Sequence, residues 1–267
     1  MLDIFQKVTE LLKDNQTVAL VTVISARGST PRHTGAKMIV LSDGRTWGTV
    51  GGGPVEAAAV QDARQAIQEG SSRVFRYELD KNKPGGLHMN CGGTTELFVE
   101  VIPPPPRLII LGAGHIGAPL AAMGSMLDFE VTVVDPRPEF AREDRFPAGV
   151  RVVRAGYVDA FDGQMALNSS SYVVILTPDS DEPALERAVR SEARYIGMVG
   201  SRRKVAVIFR NLEEKGIDPA MLKRVHAPIG LDIQAETPAE IAVSIIAEII
   251  MARNGGTGRM LSASREA

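Results

Sequence analysis

Hydrophobic and polar positions follow one pattern up to residue 102 and another from residue 107 onward. In the first part, MLDIFQKVTELLKDNQ has the spacing of an amphipathic helix. TVALVTVI, residues 17–24, reads as a buried strand. Residues 36–42 and 46–50 read as two strands joined through Asp43-Gly44, a hairpin signal. PVEAAAVQDARQAI then reads as a helix, with Pro54 in the first turn, where its missing N–H is not needed. Residues 72–78 and 95–101 read as two further strands. In the second part strand and helix alternate. RLIIL, EVTVVD, VRVV, SYVVIL and RYIGMVG are strands, while GAGHIGAPLAAMGSML, EPALERAVRS and SRRKVAVIFRNLEEKG are helices. TPAEIAVSIIAEIIMARNG is a long final helix, with Thr237 and Glu240 as a capping box and Gly255 just past its end.

Four consecutive prolines, Pro103 to Pro106, separate the two patterns. They fit neither a helix interior nor a central strand and favour stiff polyproline II. The expected domains are 1–102, a smaller α+β domain, and 103–267, a Rossmann-like α/β domain. Strand–helix alternation implies a doubly wound parallel sheet with helices on both faces.

Composition narrows the function classes. The chain has 267 residues, 44% hydrophobic and 23% charged, with a net charge of -2. That suits an ordinary globular protein with a real core. Near-neutral charge argues against nucleic acid as a partner. No run of 18 apolar residues is present, so a membrane partner is not expected. The N-terminus carries acids and does not read as a signal peptide. The single cysteine, Cys91, cannot form an internal disulfide, and the cytoplasm is the expected compartment.

Four segments carry candidate chemistry. Gly112, Gly114 and Gly117 have G-x-G-x-x-G spacing after a strand and at a helix start, and Asp135 ends the next strand. That context is the dinucleotide fingerprint: a tight turn, a close phosphate approach, tight helix packing and a ribose acceptor. His115 faces the same loop, where a lone histidine is more often a hydrogen-bonder than a catalyst. Gly51, Gly52 and Gly53 precede a helix and form a second potential anion cradle. Glu56 is there either as a helix-dipole partner or as a functional carboxylate. In GSRRK, Ser201 is an N-cap, and Arg202, Arg203 and Lys204 place three cations where the dipole disfavours them. A bound anion or a solvated rim would resolve that conflict. Cys91 lies in HMNCGG, between Asn90 and the glycines Gly92 and Gly93. A thiol in a flexible, reachable loop suits a nucleophile or a ligand to a soft centre. No Cys/His cluster with zinc spacing surrounds it.

GSTPRHTGAKMIV, GTVGGGPVEAA, MNCGGTTELFVEV, LGAGHIGAPLAAM, VTVVDPRPEF, YIGMVGSRRK and HAPIGLDIQAETPAEIAVSIIAEII together resemble the xanthine dehydrogenase accessory family, XdhC/CoxI type, nearly end to end. The resemblance implies a molybdenum-cofactor-binding chaperone. It would support sulfuration of the cofactor and its insertion into a xanthine-dehydrogenase-like molybdenum hydroxylase. The implied cofactor is molybdopterin or its cytosine dinucleotide form. The implied partners are the hydroxylase apoenzyme and a cysteine desulfurase as sulfur donor, and the implied assembly is a homodimer. Cys91, Gly92 and Gly93 look like the family's cysteine motif, and Gly51, Gly52, Gly53 and Glu56 like its GGG-x-x-E motif. The chain departs from many relatives in having Pro54 where a cysteine stands, and Pro178 where a histidine often stands.

Two other readings compete. An NAD(P)-dependent oxidoreductase would use Gly112, Gly114, Gly117 and Asp135 to hold its dinucleotide, but no catalytic acid–base pair is evident beside them. A pure scaffold would dock a sulfur donor onto an apoenzyme and bind neither ligand.

Overall fold

The computed structural model describes residues 2–80, 86–87, 89–161 and 165–262. By contacts the chain divides into two compact units, Met1–Pro104 and Pro105–Ala267.

The first unit opens with α1 (Leu2–Lys13), followed by β1 (Val18–Arg27), β2 (Lys37–Leu41) and β3 (Thr46–Gly48). Then come α2 (Gly53–Glu69), β4 (Arg73–Asp80) and β5 (Asn90–Ile102). The strands form one antiparallel sheet in the order β3-β2-β1-β5-β4. Alternate residues of β1 serve the two faces. Ala19, Val21 and Val23 join the core under α2, while Val18 and Leu20 join the core under α1. Burial on both faces explains why β1 is continuously apolar rather than alternating.

Cys91, Gly92 and Gly93 open β5, which begins five residues before the strand expected from the hydrophobic pattern. The expected loop is therefore strand backbone. Asn90 pairs with Asp80 on one side, Gly92 bridges Ser29 on the other, and Thr94 pairs with Arg27. Sheet pairing, which apolar spacing does not report, extends the strand. The side chain of Cys91 lies outside the described residues.

The second unit contains β6 (Arg107–Leu111), α3 (Gly117–Met126), β7 (Glu130–Val134), β8 (Arg151–Val153), β9 (Ser171–Ile175) and α4 (Asp181–Val189). It continues with β10 (Tyr195–Met198), α5 (Arg202–Glu214), α6 (Pro219–Leu222), β11 (Val225–His226) and α7 (Pro238–Asn254). All six strands are parallel, in the order β11-β10-β9-β6-β7-β8. The order reverses between β6 and β9, so the topological switch point lies at the carboxyl ends of those two strands. Ile109, Leu111, Val173 and Ile175 face the core shared with α4 and α5. Leu108, Ile110, Tyr172 and Val174 face the core shared with α3 and α7. The fold class is the expected one, a Rossmann-like parallel sheet preceded by a smaller α+β unit. α6 and β11 are additions, each too short to leave a periodic signal.

Candidate functional site

In the second unit the chain turns from β6 into α3 through residues 112–116, so the helix starts at Gly117 rather than Gly112. The three glycines meet different surroundings. A Cβ on Gly112 (φ +119°) would stand 2.5 Å from the Leu176 carbonyl oxygen, because the end of β9 closes against the loop. A Cβ on Gly117 would stand 1.9 Å from the Gly112 carbonyl oxygen, so helix and loop touch there. A Cβ on Gly114 would meet nothing within 4 Å. The open position is the one a ligand phosphate would approach, and no side chain caps α3. His115 on the same loop is exposed.

Asp135, directly after β7, is fully buried and clamps this loop. Its Oδ2 accepts from the Ala113 N–H at 2.9 Å and from Arg137 Nη2 at 2.8 Å. Its Oδ1 accepts from the Arg137 N–H at 3.0 Å and from Arg137 Nε at 2.9 Å. Burial alone would raise the carboxyl pKa. The Arg137 side chain and the two backbone N–H groups outweigh it and hold Asp135 below the usual carboxylate range. The Tyr157 phenol is pushed up to about 12, by burial first and by the Asp135 charge second. The other side of the loop is held by Arg145, whose Nη1 donates to the Ala113 carbonyl at 2.9 Å and to the Phe140 carbonyl at 2.8 Å. Phe140 also lies 3.9 Å from the Arg137 guanidinium.

At the start of α5, Ser201 is the N-cap: its hydroxyl accepts from the Lys204 N–H at 3.2 Å. The three cations do not behave alike. Lys204 pairs with Asp181, whose buried carboxylate also accepts from the Thr177 hydroxyl. Arg202 and Arg203 are exposed, with no hydrogen bond or ion pair among the described residues. One cation of the expected conflict is thus neutralised within the protein. Residues 176–181 link the glycine loop to this helix start, because Leu176 packs on Gly112 and Asp181 holds Lys204. Spacing could not disclose the Asp181–Lys204 pair, which joins two different crossovers.

A second polar cluster in this unit also escaped the sequence. Glu248 on α7 is buried and accepts from Tyr195 Oη at 3.2 Å, from His226 Nδ1 and from the Gly230 N–H. His226 stacks on Tyr195 with ring centroids 4.5 Å apart. Burial would raise the Glu248 pKa, but His226 and the Gly230 N–H bring it below the ordinary value. The Ser244 hydroxyl donates to the Leu231 carbonyl at 2.6 Å, completing the docking of segment 226–231 onto α7.

In the first unit, residues 28–31 touch both expected glycine motifs. A Cβ on Gly93 would stand 2.4 Å from the Ser29 carbonyl and 2.7 Å from the Arg27 carbonyl. A Cβ on Gly51 would stand 2.8 Å from Pro31 Cγ. The loop after β1 therefore meets Gly51 through Pro31, and Gly92 and Gly93 through Ser29. At positions 53 and 92, both with positive φ, an added Cβ would meet nothing within 4 Å among the described residues. No side chain caps α2. The Glu56 carboxylate lies in the first turn, with Oε2 3.5 Å from a Cβ placed on Gly52, so it already meets the helix dipole and an external anion would compete with it. A pocket of about 280 Å³ opens beside Arg32, lined also by Ile4, Gly35, Ala36, Lys37 and Thr49. The segment GSTPR was visible in the sequence, but its place between the two motifs required the β1–β5 register. Among the described residues, no three His, Cys, Asp or Glu side chains are grouped as metal ligands. No helix among them is long and apolar enough to cross a membrane.

Two family models match this chain. The XdhC Rossmann domain model matches residues 108–249, and the XdhC and CoxI family model matches residues 11–78. The uncharacterized protein YqeB of Escherichia coli K12 is 34% identical over 260 residues, covering 97% of this chain and 48% of that protein. This chain therefore spans about half the length of YqeB. A probable xanthine dehydrogenase subunit from Bacillus subtilis 168 is 23% identical, covering 91% of this chain and 95% of its own length. The molybdenum cofactor insertion chaperone PaoD of E. coli K12 is 26% identical, covering 91% and 86%. A crystal structure from Bacillus halodurans, described as a xanthine dehydrogenase, shares the fold over 97% of both chains, with a TM-score of 0.50 and 23% identity. The two family models, the first spanning more than half of the chain, place it in the XdhC and CoxI family.

Proposed function

We propose that this protein is a maturation factor for the molybdenum cofactor, and that it supports sulfuration of the cofactor and its insertion into a molybdenum hydroxylase. Its kinship with a molybdenum cofactor insertion chaperone supports the class of activity. The observation that carries the reading is the loop at residues 28–31, which brings the cysteine–glycine motif and the triple glycine together. At Gly53 and Gly92 an added Cβ would meet nothing within 4 Å among the described residues, which leaves the backbone open to approach there. In this reading Cys91, Gly92, Gly93 and the Gly28–Pro31 loop hold the metal–sulfur end of the cofactor. Gly51, Gly52 and Gly53 supply backbone N–H groups to its phosphate, and Glu56 limits how much negative charge that helix start accepts. When bound, the cofactor supplies a soft molybdenum–sulfur centre, next to which a thiolate is chemically suited. The partners are a hydroxylase apoenzyme and a cysteine desulfurase, with the chaperone as a homodimer in the cytoplasm.

The crevice of the second unit is a separate nucleotide site in this reading, built from Gly112, Gly114, Gly117 and the residues around Asp135. Protein purified from cells that make the cofactor should contain molybdenum and an oxidisable fluorescent pterin. Cys91→Ala and Cys91→Ser should both lose most of the molybdenum with little change in Tm, since serine keeps the shape and loses the soft donor. Unchanged metal content in both variants overturns the role of Cys91. Absence of metal and pterin from the wild-type protein overturns the reading as a whole.

A further inference from the structure

We infer that the crevice of the second unit selects a nucleotide carrying a phosphate on its ribose over one with a free ribose diol, and that Arg137 and Arg154 make the selection. The inference rests on reading the glycine loop as a nucleotide site, and goes beyond that reading by specifying the nucleotide.

In an open parallel sheet of this order, the ribose next to the glycine loop reaches the carboxyl end of the second strand, here β7. A carboxylate there reads the diol by accepting from its hydroxyls, whereas an arginine reads a 2′-phosphate. Asp135 occupies that position, but each of its oxygens already accepts two hydrogen bonds, from Ala113 and Arg137. A carboxylate offers about four lone-pair sites, so Asp135 has none left for a diol. Ala113 belongs to the glycine loop itself, so releasing that bond would loosen the cradle.

Arg137 is differently placed. Two of its five N–H donors bind Asp135, one face lies on Phe140, and the side chain stays 37% exposed. Asp135 and Phe140 thus fix the direction of a guanidinium at the strand end. Beside it, the Asp135 N–H donates to the Val153 carbonyl at the end of β8, and Arg154 follows immediately. Arg154 is exposed, with no hydrogen bond or ion pair among the described residues. Arg145, bound to the Ala113 carbonyl, adds a third positive charge near the loop. Among the described residues, the acids acting on Arg137 are Asp135, already paired, and the exposed Glu139, while Asp159 lies against Gly156, two residues past Arg154. A fixed planar fork with an unpaired arginine beside it suits a phosphomonoester, which carries up to two negative charges and three acceptor oxygens.

The test is calorimetric titration of the full-length protein with NADP+ and with NAD+, which differ only in the 2′-phosphate. The wild-type protein should bind NADP+ at least tenfold more tightly. Arg137→Ala should reduce that ratio to near one, by weakening NADP+ through loss of the guanidinium and by freeing Asp135 as a diol acceptor for NAD+. Arg137→Ala also strands a buried carboxylate, so its melting curve must be cooperative for the result to count. Arg154→Ala gives an independent reading, since this exposed residue holds nothing in the fold. It should weaken NADP+ several-fold, leave NAD+ unchanged and melt like the wild type. Equal wild-type affinity for the two nucleotides overturns the inference, as does an unchanged ratio in both variants. If neither nucleotide binds, the nucleotide site itself is overturned. The molybdenum content of the same preparation judges the chaperone reading separately.

Discussion

At the scale of single residues, three glycines of one motif serve three different ends, and the difference is measurable. Gly117 has no room for a methyl group: a Cβ would stand 1.9 Å from a backbone oxygen that no side-chain rotation can move. Gly117→Ala is expected to cost about 2–3 kcal/mol through overpacking at a helix–loop contact, a fall in Tm of roughly 5–10 °C. Gly114 has open space, so Gly114→Ala should melt within about a degree of the wild type while weakening nucleotide binding tenfold or more. Thermal melts and titrations on the same two variants check both statements. A Gly114→Ala protein that binds normally shows that the opening above that glycine is not where a phosphate sits. Lys204 illustrates the opposite case. Three adjacent cations looked equivalent in the sequence, but the fold gives one of them a buried carboxylate, Asp181, and leaves Arg202 and Arg203 in water. Lys204→Ala removes the partner of a buried charge and should therefore destabilise the protein more than Arg202→Ala or Arg203→Ala. Denaturant midpoints of the three single variants decide that order.

At the scale of elements, the docking of segment 226–231 onto α7 depends on one buried carboxylate. Glu248 gathers His226, Tyr195 and the Gly230 N–H, and removing it leaves those donors without their shared acceptor. Glu248→Ala should cost about 3 kcal/mol, the scale of breaking a buried ion pair. The acid dependence follows in sign from the depressed pKa values of Glu248 and Asp135. A carboxyl whose folded pKa lies below its unfolded one binds protons more weakly when folded. Its stabilisation is complete above the unfolded value, about 4 for these groups, and is lost as pH falls through the folded value. Wild-type stability should therefore drop steeply below about pH 4, and more shallowly in Glu248→Gln. Stability followed from pH 7 to pH 3 checks this, and parallel curves would remove Glu248 from the acid response. The same element shows what the sequence could reveal. The ends of α7 were readable because their signals are local: the capping box at Thr237 and Glu240, and left-handed Gly255. The glycine loop was readable because its residues follow one strand and open one helix. The Glu248 cluster was not, because its members come from β10, β11, a loop and α7. The early start of β5 was equally hidden, since Asn90 to Gly93 are held by Asp80 and Ser29 rather than by their own apolar spacing.

At the scale of the whole molecule, the two compact units meet at Pro104 and Pro105, inside the run of four prolines. Each unit buries a core of its own, two clusters about the antiparallel sheet and two about the parallel one. The candidate chemistry divides in the same way. The cysteine–glycine motif and the triple glycine belong to the first unit, and the nucleotide-type loop with its arginines to the second. A separate core on each side of a proline-rich boundary is what independently folding domains require. The expected outcome is that the fragment of residues 105–267, expressed alone, unfolds in one cooperative transition and retains the full-length preference for NADP+ over NAD+. The fragment of residues 1–104 should carry the molybdenum when made in cells that synthesise the cofactor, and Cys91→Ser within that fragment should remove it. Calorimetry on the first fragment and metal analysis on the second make the comparison. If the nucleotide preference and the metal content both survive only in the intact chain, the sites need both units at once, and the division of chemistry along the proline boundary is wrong.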